Sequence, residues 1–193
     1  MRQTGTDRRF LPFRAVNAKH RPGHDPGLQR HHLLPRQLLG KACFAALFDA
    51  LSDRRLCFED FRENGLLLPC NEAAAMRLAL PMHRGPHRRY SELVIERVGQ
   101  IEGHWARSRA TAPERAASHA SMRLALLQRG LRRYLLDGRG QRAVLNRHDL
   151  PRREADFAEL DAMVEGLWDA SGFRPASNVV AGSELPGGFL KAA

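Results

Sequence analysis

Prolines cut this chain into unequal pieces, and the cuts limit what each piece can become. A proline locks φ and removes a backbone donor, so it belongs at strand ends, in turns or in the first turn of a helix. Pro35, Pro69 and Pro81 close short segments, whereas Pro86, Pro113 and Pro151 stand near the head of longer ones. The first part of the chain therefore reads as short elements and the later part as long helices.

Residues 1–27 are rich in Arg, Gly, Pro and Asp, and read as an extended lead-in with turns. The piece QRHHLLP that follows is too short for a helix and is strand-like. Apolar residues at 38, 39, 43, 44, 47, 48 and 51 predict a helix over 36–52, at a small cost from Gly40. NGLLLP, an apolar run between an Asn-Gly turn signal and Pro69, reads as a buried strand. Helical patterning returns from Asn71 to Leu80, with Asn71 or Cys70 near the cap. A long helix is predicted next, apolar at 90, 93, 94, 98, 101 and 105, with Pro86 in its first turn. Thr111-Ala-Pro-Glu114 is a capping-box pattern that opens another helix ending at Gly138. A third long helix is expected from Pro151 to Gly172, then an irregular tail. The inferred division is a lead-in over 1–27, a mixed strand/helix core over 28–108, and a helical extension over 109–193.

At 193 residues, 43% hydrophobic and 27% charged, the chain can bury a core and suits one domain with an appended piece. No apolar run approaches the ~20 residues of a spanning helix, which removes the integral-membrane class. The N-terminus lacks a secretory apolar stretch of ~7–15 residues, so a cytoplasmic chain or a small delivered effector is expected. Cys43, Cys57 and Cys70 are far apart with no CxxC pair, which excludes a disulfide scaffold and a four-cysteine zinc site. The net charge is +10, and lysine occurs only at 19, 41 and 191, leaving 28 of the 31 basic residues as arginine. Arginine forks suit phosphate, but a GC-rich bacterial genome would also inflate Arg, Ala, Leu and Gly together. The charge gains meaning only beside a phosphate-handling site.

Such a site is suggested by histidines. Of the nine, most are single surface or loop residues, but His31 and His32 are adjacent, and His83 and His87 are four apart. Neighbours on an extended segment point to opposite sides, so one of His31 and His32 can face a metal while the other faces substrate. If the following helix begins near Met82, His83 and His87 share one helical face; if it begins at Pro86, His83 sits in the preceding loop. Either arrangement allows two imidazoles to hold one cation. Each pair alone is a weak signal, but HH, an Asn-Gly apolar strand and HxxxH in that order are far less expected by chance.

The order RHHLLP, ENGLLLP, LPMHRGPHRRY resembles the AHH nucleases of the HNH/endonuclease VII superfamily, over about residues 28–105. Arg30 stands where the family has the alanine of its name, and the insert between His32 and Asn64 is long enough to carry a helix. The extension after Ser108 is not explained by the resemblance. What the resemblance implies is an α+β, predominantly α-helical chain, with a small ββα-metal nuclease core and a helical C-terminal extension. It gives His31 the role of metal ligand, completed by His83 and His87, and His32 that of general base, for which an imidazole pKa of ~6.5 is suited. Asn64 either braces the hairpin and orients the base or ligates the metal; an ordinary turn residue would also suit its position. The cofactor is one divalent ion, with Mg, Mn, Zn and Ni all open.

Arg84, Arg88 and Arg89 flank the ligands and could grip phosphates of nucleic acid, or could be solvated residues of a helix start. Tyr90 is assigned to the core and Cys70 to a small buried thiol. The expected activity is metal-dependent endonucleolytic hydrolysis of DNA, leaving 5′-phosphate and 3′-hydroxyl ends with little base readout. Two readings compete with it: a non-catalytic nucleic-acid-binding or interaction protein with a structural metal, and an RNA-cutting toxin. Polymorphic-toxin relatives would add an immunity protein as partner; no membrane partner is expected.

Overall fold

The computed structural model describes residues 10–52, 58–85, 87–136, 162 and 164–167. Strand β1 (Leu28–His32) pairs antiparallel with β2 (Gly65–Pro69), in a register that sets His32 opposite Gly65 and Leu28 opposite Pro69. Both strand-like pieces of the sequence thus become one two-stranded sheet. The ladder is extended past His32 by the Leu33 N–H, which donates to the Asn64 carbonyl at 2.8 Å.

Between the strands lies the insert. The expected helix over 36–52 is broken in two: a 3-10 turn, Arg36–Gly40, and helix α1, Ala42–Ala50, separated by Lys41 in an extended conformation. The pattern of apolar residues continues across that break, which is why periodicity alone did not reveal it. Asn-Gly at 64–65 is not a hairpin turn. Asn64 ends a single helical turn, α2 (Phe61–Asn64), which Asp60 caps by accepting from the Arg62 N–H, and Gly65 begins β2 directly. A β-carbon on Gly65 would stand 2.2 Å from the Phe61 ring, so only glycine allows the chain to turn there.

Helix α3 (Glu72–Leu78) is capped by the Asn71 side chain, as the sequence suggested, through a 2.9 Å bond from the Ala74 N–H. Helix α4 (Arg88–Ser108) is the long amphipathic helix, and α5 (Pro113–Leu136) runs back along it. Pro113 opens α5, while the Thr111 hydroxyl turns back to donate to the Ser108 carbonyl at 3.2 Å. The apolar positions read for α4 are buried, and they meet Ala116, Ala120, Leu124, Leu127 and Leu131 of α5 in one core with Leu33, Leu34, Leu38 and Leu47. Each fully buried leucine there contributes roughly 1.5–3 kcal/mol. The line drawn at 108/109 therefore falls in a turn between two helices that share a core.

Pro86 and most of the helix expected over 151–172 lie outside the described residues, as does the tail; Ala162 and Val164–Leu167 are helical. Among the described residues no helix is long and apolar enough to cross a membrane. The arrangement is α+β, with a small antiparallel sheet among helices, as expected.

Candidate metal centre and its surroundings

Alternation along β1 sends its side chains to two faces. Gln29 and His31 lie on one. The loop after α3 reaches that face by donating the His83 N–H to the Pro69 carbonyl at 2.7 Å, at the far end of β2. His87 occupies the position just before α4, and its carbonyl accepts the Ser91 N–H of the first turn at 3.1 Å. His83 and His87 are therefore not a pair on one helical face: the loop alternative is the one observed.

The rings of His31, His83 and His87 have centroids 4.8–4.9 Å apart, and their ligand-capable nitrogens all lie within 4.8 Å of one another. His31 and His83 are buried and His87 is partly so. Nε2 of His31, Nε2 of His83 and Nδ1 of His87 are buried without a hydrogen-bond partner. Such orphaned nitrogens are costly unless something satisfies them. Two nitrogens bound to one ion at ~2.0–2.1 Å are at most ~4.2 Å apart, so the cluster is within a small rotamer adjustment of ligation range. The donor set fits a divalent cation.

Burial and mutual proximity keep these rings neutral. His31 is pushed down to about 2, first by desolvation and then by His83, His87 and His32. His83 is pushed down to about 4 by desolvation and His87, and His87 is lowered chiefly by burial. Neutral imidazole is the form that binds metal. Gln29, which the sequence reading missed, holds His83 in place: its Oε1 lies 3.1 Å from His83 Nδ1. The accepting oxygen selects the tautomer protonated at Nδ1 and leaves the Nε2 lone pair free. The signal for it was its spacing of two from His31. Tyr90 forms the back wall, buried, its ring 4.8 Å from that of His31 and its hydroxyl donating to the Leu33 carbonyl at 2.8 Å.

Arg30 and His32 lie on the opposite face of β1. The imidazole of His32 is half-buried and stacks on Phe13, with centroids 3.7 Å apart and planes 5° from parallel. Burial holds its pKa below the usual value, opposed by the carboxylate of Glu59. Phe13 comes from the segment expected to be only a lead-in. That segment is stitched to the rest by the Phe61 N–H donating to the Leu11 carbonyl at 2.7 Å and by Asn17 Nδ2 donating to the Leu28 carbonyl at 2.9 Å.

Asn64 is fully buried behind the strand ends. Its Oδ1 accepts from the Leu34 N–H at 2.7 Å and from Gln128 Nε2 at 3.2 Å; its Nδ2 donates to the carbonyls of Leu34 and Phe58 at 3.0 and 3.1 Å. Arg132, also on α5, donates to the Arg62 carbonyl at 2.8 Å. Arg84, Arg88 and Arg89 are exposed; Arg88 makes an exposed contact of 3.7 Å with Glu92. An open groove of about 600 Å³ runs beside His87, lined by Pro35, Gln37 and Lys41 of the insert and by Arg88, Ser91, Glu92 and Ile95 of α4. Cys70 is half-buried, its thiol donating to the Pro26 carbonyl at 3.3 Å.

A model of the AHH family, a nuclease family of the HNH/ENDO VII superfamily with conserved AHH, matches residues 13–131. The chain belongs to this family. The match begins at Phe13 and ends within α5, so it takes in the turn stacked on His32 and the helix carrying Gln128 as well as the histidines. Membership of the AHH family makes the chain a nuclease domain acting on nucleic acid, in a superfamily that uses a divalent metal. At the AHH signature itself this chain reads Arg30-His31-His32. No curated protein and no solved structure matches the chain significantly.

Proposed function

We propose that the chain is a metal-dependent endonuclease that hydrolyses phosphodiester bonds of DNA, leaving 5′-phosphate and 3′-hydroxyl ends. The observation that carries this reading is the convergence of His31, His83 and His87, three neutral imidazoles with unpartnered buried nitrogens, beside a fourth, His32, on the other face of the same strand. His31, His83 and His87 hold the ion. Bound there, a divalent ion supplies positive charge to the phosphate and to the departing 3′ oxygen. His32 is the general base. It takes a proton from water, the hydroxide adds to phosphorus, and the bond to the 3′ oxygen breaks.

Asn64 acts as a brace. Both polar atoms of its side chain are engaged by the backbone of Leu34 and Phe58 and by Gln128, which supports that role over metal ligation. Arg84, Arg88 and Arg89 grip phosphates at the rim. The groove beside His87 adds Lys41 and offers charge and hydrogen bonds to a strand's backbone, which suits cleavage with little base readout.

Incubating plasmid DNA with folded protein and Mg, Mn, Zn or Ni in turn tests the reading. Nicking that needs the ion and stops with chelator is expected. Folded protein inert with every ion overturns it, and cleavage confined to RNA moves the substrate to RNA. A toxin role with an immunity protein as partner extends the same reading: growth arrest on expression is expected, relieved by His32→Ala.

A further inference from the structure

The family signature has an alanine where this chain has Arg30, and the substitution is not idle in the fold. Alternation along β1 puts Arg30 on the His32 face, two residues before it. Its guanidinium Nη1 donates to the Phe13 carbonyl at 2.8 Å. That carbonyl belongs to the 3-10 turn Phe13–Ala15 and also accepts the Val16 N–H at 3.2 Å, so it is pinned from two directions. The ring it carries is buried between His32, which it faces at 3.7 Å, and Phe61, which meets it edge-on at 5.1 Å and 73°. An alanine at position 30 has no donor to offer that carbonyl.

We infer that Arg30 is a positioning residue acting through Phe13: it clamps the turn so that the Phe13 ring lies flat on His32 and fixes the plane of that imidazole. The inference rests on the proposed role of His32 as base. The second side-chain torsion of histidine is broad and roughly two-fold, so an unsupported ring samples many orientations. A base must hold its nitrogen within ~10–20° of the productive direction. The stack supplies that restraint on one side of the ring, and the guanidinium fixes the stack to the same strand that carries the base. Ring plane and strand then move as one body.

The experiment compares Arg30→Ala, Arg30→Lys and Phe13→Leu with the parent chain, by cleavage kinetics, metal titration and NMR of the His32 ring protons. A ring stacked on phenylalanine has protons displaced upfield by the aromatic ring current. The expected result is that Arg30→Ala lowers kcat on the order of ten- to a hundredfold with KM and metal affinity unchanged. Arg30→Lys restores part of it, and Phe13→Leu removes the upfield displacement, which Arg30→Ala diminishes. Unchanged ring shifts and kcat in Arg30→Ala overturn the clamp. So does a change in KM alone, which would make Arg30 a phosphate contact. The two readings fail separately: if His32→Ala keeps its turnover, the base assignment falls, while the ring shifts still report whether Arg30 orders the stack.

Discussion

The two faces of β1 differ in almost every physical respect. On the Gln29/His31 face, the partners arrive from later in the chain, and three rings, buried or partly so and neutral, gather against one another. On the Arg30/His32 face, the partner arrives from earlier in the chain, the imidazole is half-buried, and it is held by a flat aromatic stack. Under the proposed mechanism, a single strand separates two demands of hydrolysis, coordination of an ion and orientation of a base. The separation depends on the pleat: a one-residue slip against β2 would exchange the faces.

The largest expected effect comes from taking the faces apart. His32→Ala should lower turnover by on the order of 10²–10⁴ and leave metal affinity intact, whereas His31→Ala should remove metal binding and turnover together. Equal metal loss in the two variants, by calorimetric titration, would erase the distinction. Asn64→Ala should strike both faces at once. It strands buried backbone groups of Leu34 and Phe58, at roughly 1–3 kcal/mol for each group left unpaired, read as a fall in thermal midpoint. An unaltered midpoint would mean the brace is dispensable.

Gln29→Ala sharpens the contrast from the metal side. A lost partner of this kind costs ~10–100-fold in metal affinity, measurable by competition with a chromophoric chelator. A change in the His32 ring shifts without a change in affinity would place Gln29 on the wrong face. The mildest effect is that of pH on the metal-free protein. His31 and His83 are held to about 2 and about 4, below the 6.5 of a free imidazole. The unfolded chain therefore binds protons that the folded chain refuses, and stability falls as pH drops from about 6.5 towards 4. His83→Gln should flatten that slope in melting curves; an identical slope would remove His83 from the account.

The histidines were legible because their chemistry is in the residue type and the strand alternation needs no tertiary knowledge. Both strands and the α3 cap were legible for the same local reasons. The break at Gly40–Lys41 was not, since the apolar residues keep their spacing across it. Phe13 was hidden because one aromatic in an Arg-, Gly- and Pro-rich stretch carries no period. The choice between loop and helix for His83 turned on where α4 starts, and the sequence allowed two starts. Gln128 left a faint trace: it is a polar residue among the apolar positions 124, 127, 131 and 135 of α5. Only the fold shows that it reaches Asn64.

That reach sets how far the nuclease can be trimmed as a portable unit. A fragment ended at Ser108 would retain all four histidines and both strands, and would lose the amide and guanidinium that α5 lends to the Asn64 junction. Grafted onto another carrier, a cassette that keeps both contacts must reach at least Arg132, and Leu135 of the buried core lies three residues further on.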